Sequence, residues 1–399
     1  MFNATPHDVL PSDDRLPLLF YCHESPRGGT APRAALVASL SSHFRVVLVG
    51  GPEALERVDP PPAVEVVRLP SDGSADARLV RAQLLLGAYL QIDPAVVLIE
   101  QFPFGCPQPS DDIVSVLEGA AANPRTRLVA CSVVDLLIDQ PFTARGRDVQ
   151  AQRLADWYFD VVLVHADPRV GRLEDVFEPQ TLRVPVRYTG FVGPEPAGEA
   201  AATVPQRHEV VVMCDGARPD AALFRAAIEA CDHWPSDERL QVRIIAGPSL
   251  PDAELAGLHA EAASRSGVIV QRVAADPRAT AARAAVSVSD GAAETVFEML
   301  RTGVPALIVP RAGDDERGDW AHRLAALGAV RLLERDRLNG KELAGEIIAT
   351  RRLPPPYFEL NQSGAAETLR VVRRLADPAP MFPPSFAGLD EASSSRAPL

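Results

Sequence analysis

The chain has 399 residues, of which 47% are hydrophobic, and a formal net charge of −13 at pH 7. This length suits roughly two domains with their own cores, and the negative charge disfavours nucleic acid as a partner. The five cysteines include no CxxC pair, which argues against a disulfide framework or a cysteine zinc site. The sequence shows no leader pattern and no apolar run near ~20 residues. We therefore expect a cytoplasmic protein without an integral membrane segment.

The first half of the chain alternates short apolar runs with helical patterns, a rhythm typical of a parallel α/β sheet. Several runs are apolar without alternation, as in strands covered on both faces. The predicted strands are LPLLFYC (16–22), FRVVLVG (44–50), VEVVRL (64–69), AVVLIE (95–100), RLVACSV (127–133), VVLVH (161–165) and VRYTGF (186–191). Helices are predicted between them, over 31–43, 75–90 and 111–122 among others.

The segment 193–208 is rich in Pro, Gly and Ala, has no periodicity and indicates a linker. The same rhythm then restarts, with predicted strands EVVVMC (209–214), QVRIIAG (241–247), VIVQRV (268–273), AVSVSD (285–290) and PALIVP (305–310). Helical patterns follow them at 219–231, 251–264, 277–284, 292–303 and 319–328. The pattern predicts two doubly wound, Rossmann-like α/β domains, in which ligands bind beyond the carboxyl ends of the strands. The predicted divisions are a flexible N-terminus (1–15), an N-terminal domain (16–192), the linker, a C-terminal domain (209–376) and a disordered tail (377–399).

The most informative loop lies in the second half, within SVSDGAAETVFEMLRTGVPALIVPR (287–311). The small residues Gly291, Ala292 and Ala293 stand between a predicted strand and a predicted helix. Such a turn lets a ligand approach the backbone, and the helix N-terminus favours an anion such as a diphosphate. Glu298 lies too deep in the helix to cap it, and its carboxylate would suit a sugar diol. On spacing alone, an ordinary α/β turn with a solvated glutamate is the more common explanation.

The order of residues here resembles the donor-binding signature of the MurG-like glycosyltransferases, family 28, of the two-domain GT-B fold. The resemblance implies two domains that face a central cleft, and it makes Glu298 the ligand of the nucleotide ribose. It places Ala292 at the usual glycine of the phosphate turn, with Gly291 before it. The stretches that carry it are Thr295-Val296-Phe297-Glu298, Gly303-Val304-Pro305-Ala306 and Val309-Pro310-Arg311.

Further loops extend the implied donor site. The loop Cys214-Asp215-Gly216-Ala217 would face the diphosphate, where Gly216 fits. Asp215 would contact sugar or acceptor hydroxyls, and a simple turn aspartate is equally open. Val273 stands where family members read the base through backbone groups. The donor sugar would be read by Asp315, Glu316 and Arg317, with Arg317 in place of the usual glutamine.

The N-terminal half resembles a poorly characterised branch of the same proteins, so that the resemblance spans most of residues 16–375. It rests on Tyr188-Thr189-Gly190-Phe191, on the stretch 134–139 and on the stretch 159–168. In this branch a loop after the first strand reads Tyr-x-His-Asp, then Gly-Leu-Gly-His, then an arginine three residues on. The matching residues here are Tyr21-Cys22-His23-Glu24, Gly28-Gly29-Thr30 and Arg33.

Threonine in this loop raises the question of the catalytic base. The resemblance implies that the loop faces the acceptor and that its histidine is a candidate base, which an inverting transfer needs. Thr30 cannot act as a base near neutral pH. His23 or Glu24 would act instead, or a carboxylate from another strand end, Glu100 or Asp135. His23 as a structural strand-end histidine is equally open, and so is a protein that binds the donor without efficient turnover.

The sequence thus predicts a hexosyltransferase-type enzyme that moves a sugar from a nucleoside-diphosphate sugar to an acceptor hydroxyl. UDP is the favoured nucleotide, inversion is implied, and no cofactor or metal is expected. The acceptor is a small molecule or a lipid-linked molecule. The alternatives are an epimerase or hydrolase of a nucleotide sugar on the same fold, or an impaired nucleotide-sugar-binding partner protein.

Overall fold

The computed structural model describes most of the chain. The described residues are 14–23, 30–55, 58–70, 75–104, 111–134, 145–176, 182–193, 208–214, 218–238, 240–274, 280, 283–311, 315–353 and 360–377.

Seven parallel strands form the first sheet, in the order β3-β2-β1-β4-β5-β6-β7. They are Pro17–Cys22 (β1), Arg45–Gly50 (β2), Glu65–Arg68 (β3), Val96–Glu100 (β4), Leu128–Val133 (β5), Val161–Val164 (β6) and Val186–Tyr188 (β7). The helices between them are Thr30–Ser41 (α1), Pro52–Leu55 (α2), Ala75–Ile92 (α3), Asp111–Ala122 (α4), Arg145–Tyr158 (α5) and Leu173–Val176 (α6).

Six parallel strands form the second sheet, in the order β10-β9-β8-β11-β12-β13. They are Glu209–Met213 (β8), Gln241–Ile245 (β9), Val268–Gln271 (β10), Ala284–Ser289 (β11), Ala306–Ile308 (β12) and Arg331–Leu332 (β13). The helices are Ala221–Ala230 (α7), Asp252–Ala262 (α8), Ala293–Thr302 (α9), Asp315–Ala326 (α10), Gly340–Arg351 (α11) and Gly364–Ala376 (α12).

The central strands of both sheets are buried on both faces, which explains their unbroken apolar runs. In β1, Leu19 and Tyr21 pack into one core cluster, whereas Leu18 and Phe20 pack into another on the opposite face. The strand order reverses direction between β1 and β4 and again between β8 and β11. Ligands of open α/β sheets bind beyond the strand ends at such points. The topology therefore marks two places to examine, the end of β1 and β4 and the end of β8 and β11.

The predicted fold class is confirmed, and every predicted strand is present with slightly shifted bounds. The largest shift is in 186–191, where the strand ends at Tyr188 and the chain turns at Gly190, whose φ is +89°. The two-residue strand β13 was not predicted. Most of the predicted helix 277–284 lies outside the described residues, as do residues 1–13, 194–207 and 378–399.

The last helix, α12, lies in the range predicted for the C-terminal domain but packs against the first. Its Val372 and Ala376 are fully buried in a cluster of first-sheet residues, and Ser39 of α1 donates a hydrogen bond to the Ala365 carbonyl at 3.0 Å. A Cβ atom on Gly364 would stand 2.3 Å from the Gly190 carbonyl oxygen, so only glycine fits there. The exact domain boundaries stay a prediction.

Candidate functional site

The end of β1 and β4 gathers three of the predicted residues, which we call the first strand-end site: His23, Arg33 and Glu100. The Glu100 carboxylate is 2% exposed and lies 2.6 Å from Arg33 Nη2, with Arg33 Nε at 3.1 Å. Burial raises the pKa of Glu100, and the Arg33 charge offsets part of that rise. The remaining donors of Arg33 bind the Ala54 carbonyl at 2.5 Å and the His23 carbonyl at 3.2 Å. Every side-chain nitrogen of Arg33 and both oxygens of Glu100 therefore have a partner, which fixes the pair in place.

His23 follows β1 directly and is half-buried. Its backbone N–H donates to Glu100 Oε2 at 3.0 Å, so the buried pair fixes the position of the histidine. Its ring Nδ1 is buried and has no hydrogen-bond partner among the residues that the structure describes. Burial and the charges of Arg81 and Arg33 lower the pKa of His23 to about 4, against a smaller opposing effect of Asp112. The imidazole is thus neutral near pH 7 and able to accept a proton.

Two charged residues that the sequence analysis did not identify complete the surroundings of His23. Arg81 of α3 pairs with Asp112 of α4 at 3.0 Å and donates to the Tyr21 hydroxyl at 2.5 Å. Its guanidinium also lies 5.7 Å from the centre of the Tyr21 ring, within cation–π range. Arg81 lies in a mostly apolar helical pattern, and an arginine at such a position could have been identified in the sequence as a candidate for a partly buried ion pair.

Gln101, just past β4, has two unusual features. Its φ is +64°, in the left-handed region that non-glycine residues rarely adopt. Its side-chain Oε1 is buried and unpartnered among the described residues. Strained backbone of this kind concentrates at functional sites.

His165 directly follows β6 and is a second strand-end histidine, but its surroundings differ from those of His23. Its Nε2 lies 2.8 Å from Ser132 Oγ and its Nδ1 lies 2.7 Å from Thr189 Oγ1, with Thr368 Oγ1 of α12 at 3.4 Å. All four side chains are buried, and burial lowers the pKa of His165 to about 3. This histidine is a structural link between β5, β7 and α12.

The end of β11 and β12 forms the second strand-end site: Asp290, Gly291, Ala292 and Arg311. Gly291 has a φ of +87°, and a Cβ atom there would stand 3.0 Å from Ile308 Cγ2. Ala292 is the N-cap of α9 and supplies no side-chain hydrogen bond to the helix. The turn therefore has a glycine that its backbone requires and a helix N-terminus without a side-chain cap.

Asp290 and Arg311 form the charged part of this second site. The Asp290 side chain is 0% exposed, accepts the Ala292 N–H at 3.3 Å and pairs with Arg311 Nε at 3.1 Å. Arg311 Nη2 is buried without a partner among the described residues. The sequence places these residues at the ends of two predicted strands, 285–290 and 305–310, but does not show that they pair.

Asp220, before α7, and Arg335, after β13, form an ion pair close enough for the charge of Arg311 to act on Asp220. Asp220 caps α7 by accepting the Leu223 N–H at 3.1 Å, and it pairs with Arg335 at 2.6 and 3.0 Å. These bonds outweigh the effect of burial and lower the pKa of Asp220. Burial raises the pKa of Cys214 at the end of β8, which is therefore an unreactive thiol near pH 7.

The other predicted site residues are only partly described. Thr295 is half-buried in α9, and Val273 is 61% exposed just past β10. Six further residues are described by their backbone alone, which lies in α1, α9 or α10: Thr30, Ala293, Glu298, Asp315, Glu316 and Arg317. Glu24, Gly28, Gly29, Asp135, Asp215, Gly216 and Ala217 lie wholly outside the described residues, so their roles stay predictions.

The described part of the chain contains neither a candidate metal site nor a candidate membrane-spanning helix. No group of three or more His, Cys, Asp or Glu side chains there is arranged to hold a metal ion. Within the same residues, the helices are too short or too polar to cross a membrane.

Part of the chain matches a model of a known protein family. Residues 210–369 match the model of the glycosyltransferase family 28 C-terminal domain. No curated protein sequence matches the chain.

Solved structures match nearly the whole chain at low sequence identity. The kitacinnamycin glycotransferase is 14% identical with a TM-score of 0.62, over 91% of this chain and 100% of that one. Acinetobacter baumannii MurG is 14% identical with a TM-score of 0.57, over 90% and 99%. A putative UDP-N-acetylglucosamine 2-epimerase from Listeria monocytogenes is 15% identical with a TM-score of 0.58, over 90% and 96%. These likenesses show a common fold, the two Rossmann-like domains of the GT-B type. These findings agree with the resemblance seen in the sequence: residues 210–369 match the glycosyltransferase family 28 C-terminal domain, and the chain has the GT-B fold.

Proposed function

We propose that the protein transfers a sugar from a nucleoside-diphosphate sugar to an acceptor hydroxyl, with inversion and without a metal ion. The match of residues 210–369 to the family 28 C-terminal domain carries this proposal. The second strand-end site supports it, because a helix N-terminus without a side-chain cap suits a diphosphate. The family resemblance favours UDP as the nucleotide and Glu298 as the ribose ligand. The acceptor is a small molecule or a lipid-linked molecule.

In this proposal His23 is the catalytic base. The acceptor oxygen attacks the anomeric carbon while His23 takes the hydroxyl proton, and the nucleoside diphosphate leaves with the electrons of the broken bond. The backbone at the start of α9 stabilises the charge on the leaving group. His23 has an unpartnered Nδ1, whereas both Glu100 oxygens are already bonded. Glu100 is then a positioning residue, and a nearby anionic donor raises the pKa of His23 towards the working pH.

The first experiment is binding and turnover of the full-length protein with UDP-, dTDP- and GDP-sugars. Removing a general base costs about 10²- to 10⁴-fold in kcat, so His23→Ala should show that loss while its Kd for the nucleoside diphosphate stays unchanged. His43→Ala is the matched control, because His43 precedes β2 and so lies at the end of the same sheet where the strands begin. Absence of binding to any nucleoside diphosphate by the wild type would overturn the proposed function.

A nucleotide-sugar epimerase or hydrolase is the second candidate, favoured by the likeness to the putative 2-epimerase and by Thr30 in the loop-histidine position. Proton NMR of donor incubated without acceptor separates the candidates, because an epimerase or hydrolase yields an isomer or free sugar. Donor binding without any product would instead indicate an impaired binding protein, and activity gained by Thr30→His would trace the impairment to the missing base.

A further inference from the structure

We infer that Arg311 is a ligand of the β-phosphate of the bound nucleoside diphosphate, held in position by Asp290. This inference rests on the proposed function, which it deepens by assigning a side chain to the leaving group.

The arginine has one donor nitrogen committed and another without a partner. Arg311 Nε donates to Asp290 Oδ2 at 3.1 Å, and Nη2 is buried with no hydrogen-bond partner in the described part of the chain. A buried N–H of a guanidinium is costly when it is left unpaired. The Arg311 side chain as a whole is 20% exposed, so it lies close to the surface of the described chain. Arg311 Nη2 is therefore positioned to donate a hydrogen bond to an oxygen atom of a ligand.

Asp290 fixes the direction in which this donor lies. Its side chain is 0% exposed, and its two oxygens bind different partners, the Arg311 Nε and the Ala292 N–H. One carboxylate thereby holds the guanidinium against the turn that begins α9. The required glycine at 291 keeps that turn free of a side chain. The unpartnered nitrogen and the helix N-terminus thus belong to one site.

The charge of Arg311 also acts across the end of the sheet. Together with Arg335 it lowers the pKa of Asp220, and it opposes the upward shift of the Cys214 pKa. The guanidinium therefore lies near the ends of β8, β11 and β12. In a doubly wound sheet this is where the strand order reverses and where a ligand binds.

A phosphate is the ligand that fits these donors best. A guanidinium binds phosphate oxygens through charge-assisted hydrogen bonds, and the start of α9 favours the same negative charge. Sugar hydroxyls would satisfy the hydrogen bond but not the two positive contributions. Because the β-phosphate becomes the end of the leaving group, a contact there assists departure as well as binding.

The test is isothermal titration of the full-length protein with a nucleoside diphosphate and the matching monophosphate, using whichever of UDP, dTDP and GDP the wild type binds. Arg311→Gln should weaken diphosphate binding about 10- to 100-fold and leave monophosphate binding within about twofold. Arg331→Gln is the matched control, since Arg331 pairs with Glu346 at 2.6 Å on the neighbouring strand β13. This control should bind both nucleotides as the wild type does.

A second variant guards against misfolding. Arg311→Gln leaves Asp290 buried without its partner, so Arg311→Gln combined with Asp290→Asn removes both charges and should bind as weakly as the single variant. Equal diphosphate affinity in wild type and variants, or equal loss for the monophosphate, would overturn the inference while leaving the proposed function intact. A wild type that binds no nucleotide would overturn the proposed function itself.

Discussion

Each sheet holds a buried carboxylate at a strand end and pairs it with an arginine, but the two pairs differ in what remains free. At the first strand-end site, Arg33 donates to both Glu100 oxygens, to the Ala54 carbonyl and to the His23 carbonyl. At the second, Arg311 donates to Asp290 through Nε, and its Nη2 has no partner among the described residues. We call the first pair closed, because each of its side-chain nitrogen and oxygen atoms has a partner, and the second open, because Arg311 Nη2 has none among the described residues.

This difference in free hydrogen-bonding atoms suggests that the two carboxylate–arginine pairs have different roles. At the first site every side-chain nitrogen of Arg33 and both oxygens of Glu100 already have partners, so the effect of this pair is on the position of a neighbour, here the backbone of His23. Among the described residues, the atom without a partner at the first site is the imidazole Nδ1, a group that accepts or donates a proton. The corresponding atom at the second site belongs to a permanently charged donor, the Arg311 guanidinium. This contrast is the reason for proposing proton transfer at the first site and anion binding at the second.

The largest expected effect tests whether the first pair is closed. Arg33→Met leaves Glu100 buried without a counter-charge and should lower the free energy of unfolding by about 3–5 kcal/mol, measured by urea denaturation. Combining it with Glu100→Gln removes the stranded charge and should recover a large part of that loss.

Arg45→Met provides the control for this measurement. Arg45 pairs with Glu65 at 3.3 Å, and the two side chains are 32% and 61% exposed. An exposed pair contributes about 0–1 kcal/mol. If Arg33→Met were no more destabilising than Arg45→Met, the description of Arg33 and Glu100 as a closed structural pair would be wrong.

The next largest effect is the pH dependence of stability, to which two histidines should contribute. Both ring nitrogens of His165 have partners, whereas Nδ1 of His23 has none among the described residues. The unfolded chain takes up a proton on histidine near pH 6.5, whereas burial lowers the pKa of His165 to about 3. Between these values the unfolded state binds the additional proton. The free energy of unfolding should therefore decrease by about 1.4 kcal/mol per pH unit as the pH falls below about 6.5. Above that pH the contribution is complete and constant.

His23 should add a similar slope between about pH 6.5 and about pH 4, since its pKa is lowered to about 4. Urea denaturation from about pH 7 to about pH 5 should show a smaller slope for His165→Asn and for His23→Asn than for the wild type. His259→Asn changes an exposed histidine of α8 and should leave the slope unchanged. A wild-type slope in His165→Asn would contradict the assignment of a neutral buried imidazole.

The sequence predicted the sheets well because their central strands are buried on both faces and appear as unbroken apolar runs. It missed β13 because Arg331–Leu332 is short and only half-buried on both residues. The strand ends as ligand positions also followed from the pattern, which is how His23, Glu100 and the turn at Gly291 were identified.

The pairings were not predictable to the same extent. Arg33 and Glu100 are 67 residues apart and meet because β1 lies next to β4, a strand order that no local pattern encodes. Asp290 and Arg311 end two consecutive strands that are also neighbours in the sheet. Charged residues at the ends of successive strands were therefore a usable signal for the second pair.

The smallest expected effect concerns the start of α9 and distinguishes stability from binding at the open site. Ala292 is an N-cap without a side-chain hydrogen bond, so Ala292→Ser should stabilise the protein by about 0.5–1 kcal/mol. The new hydroxyl would occupy N–H groups that the proposed diphosphate uses, and nucleoside-diphosphate affinity should fall. Asn339→Ala is the mirror control, because Asn339 caps α11 by accepting the Glu342 N–H at 3.0 Å. Thermal unfolding and titration calorimetry should show a less stable Asn339→Ala with unchanged affinity. Ala292→Ser should instead be more stable than the wild type and bind the nucleoside diphosphate more weakly. A gain in stability with undiminished affinity would mean that the diphosphate does not bind at the start of α9.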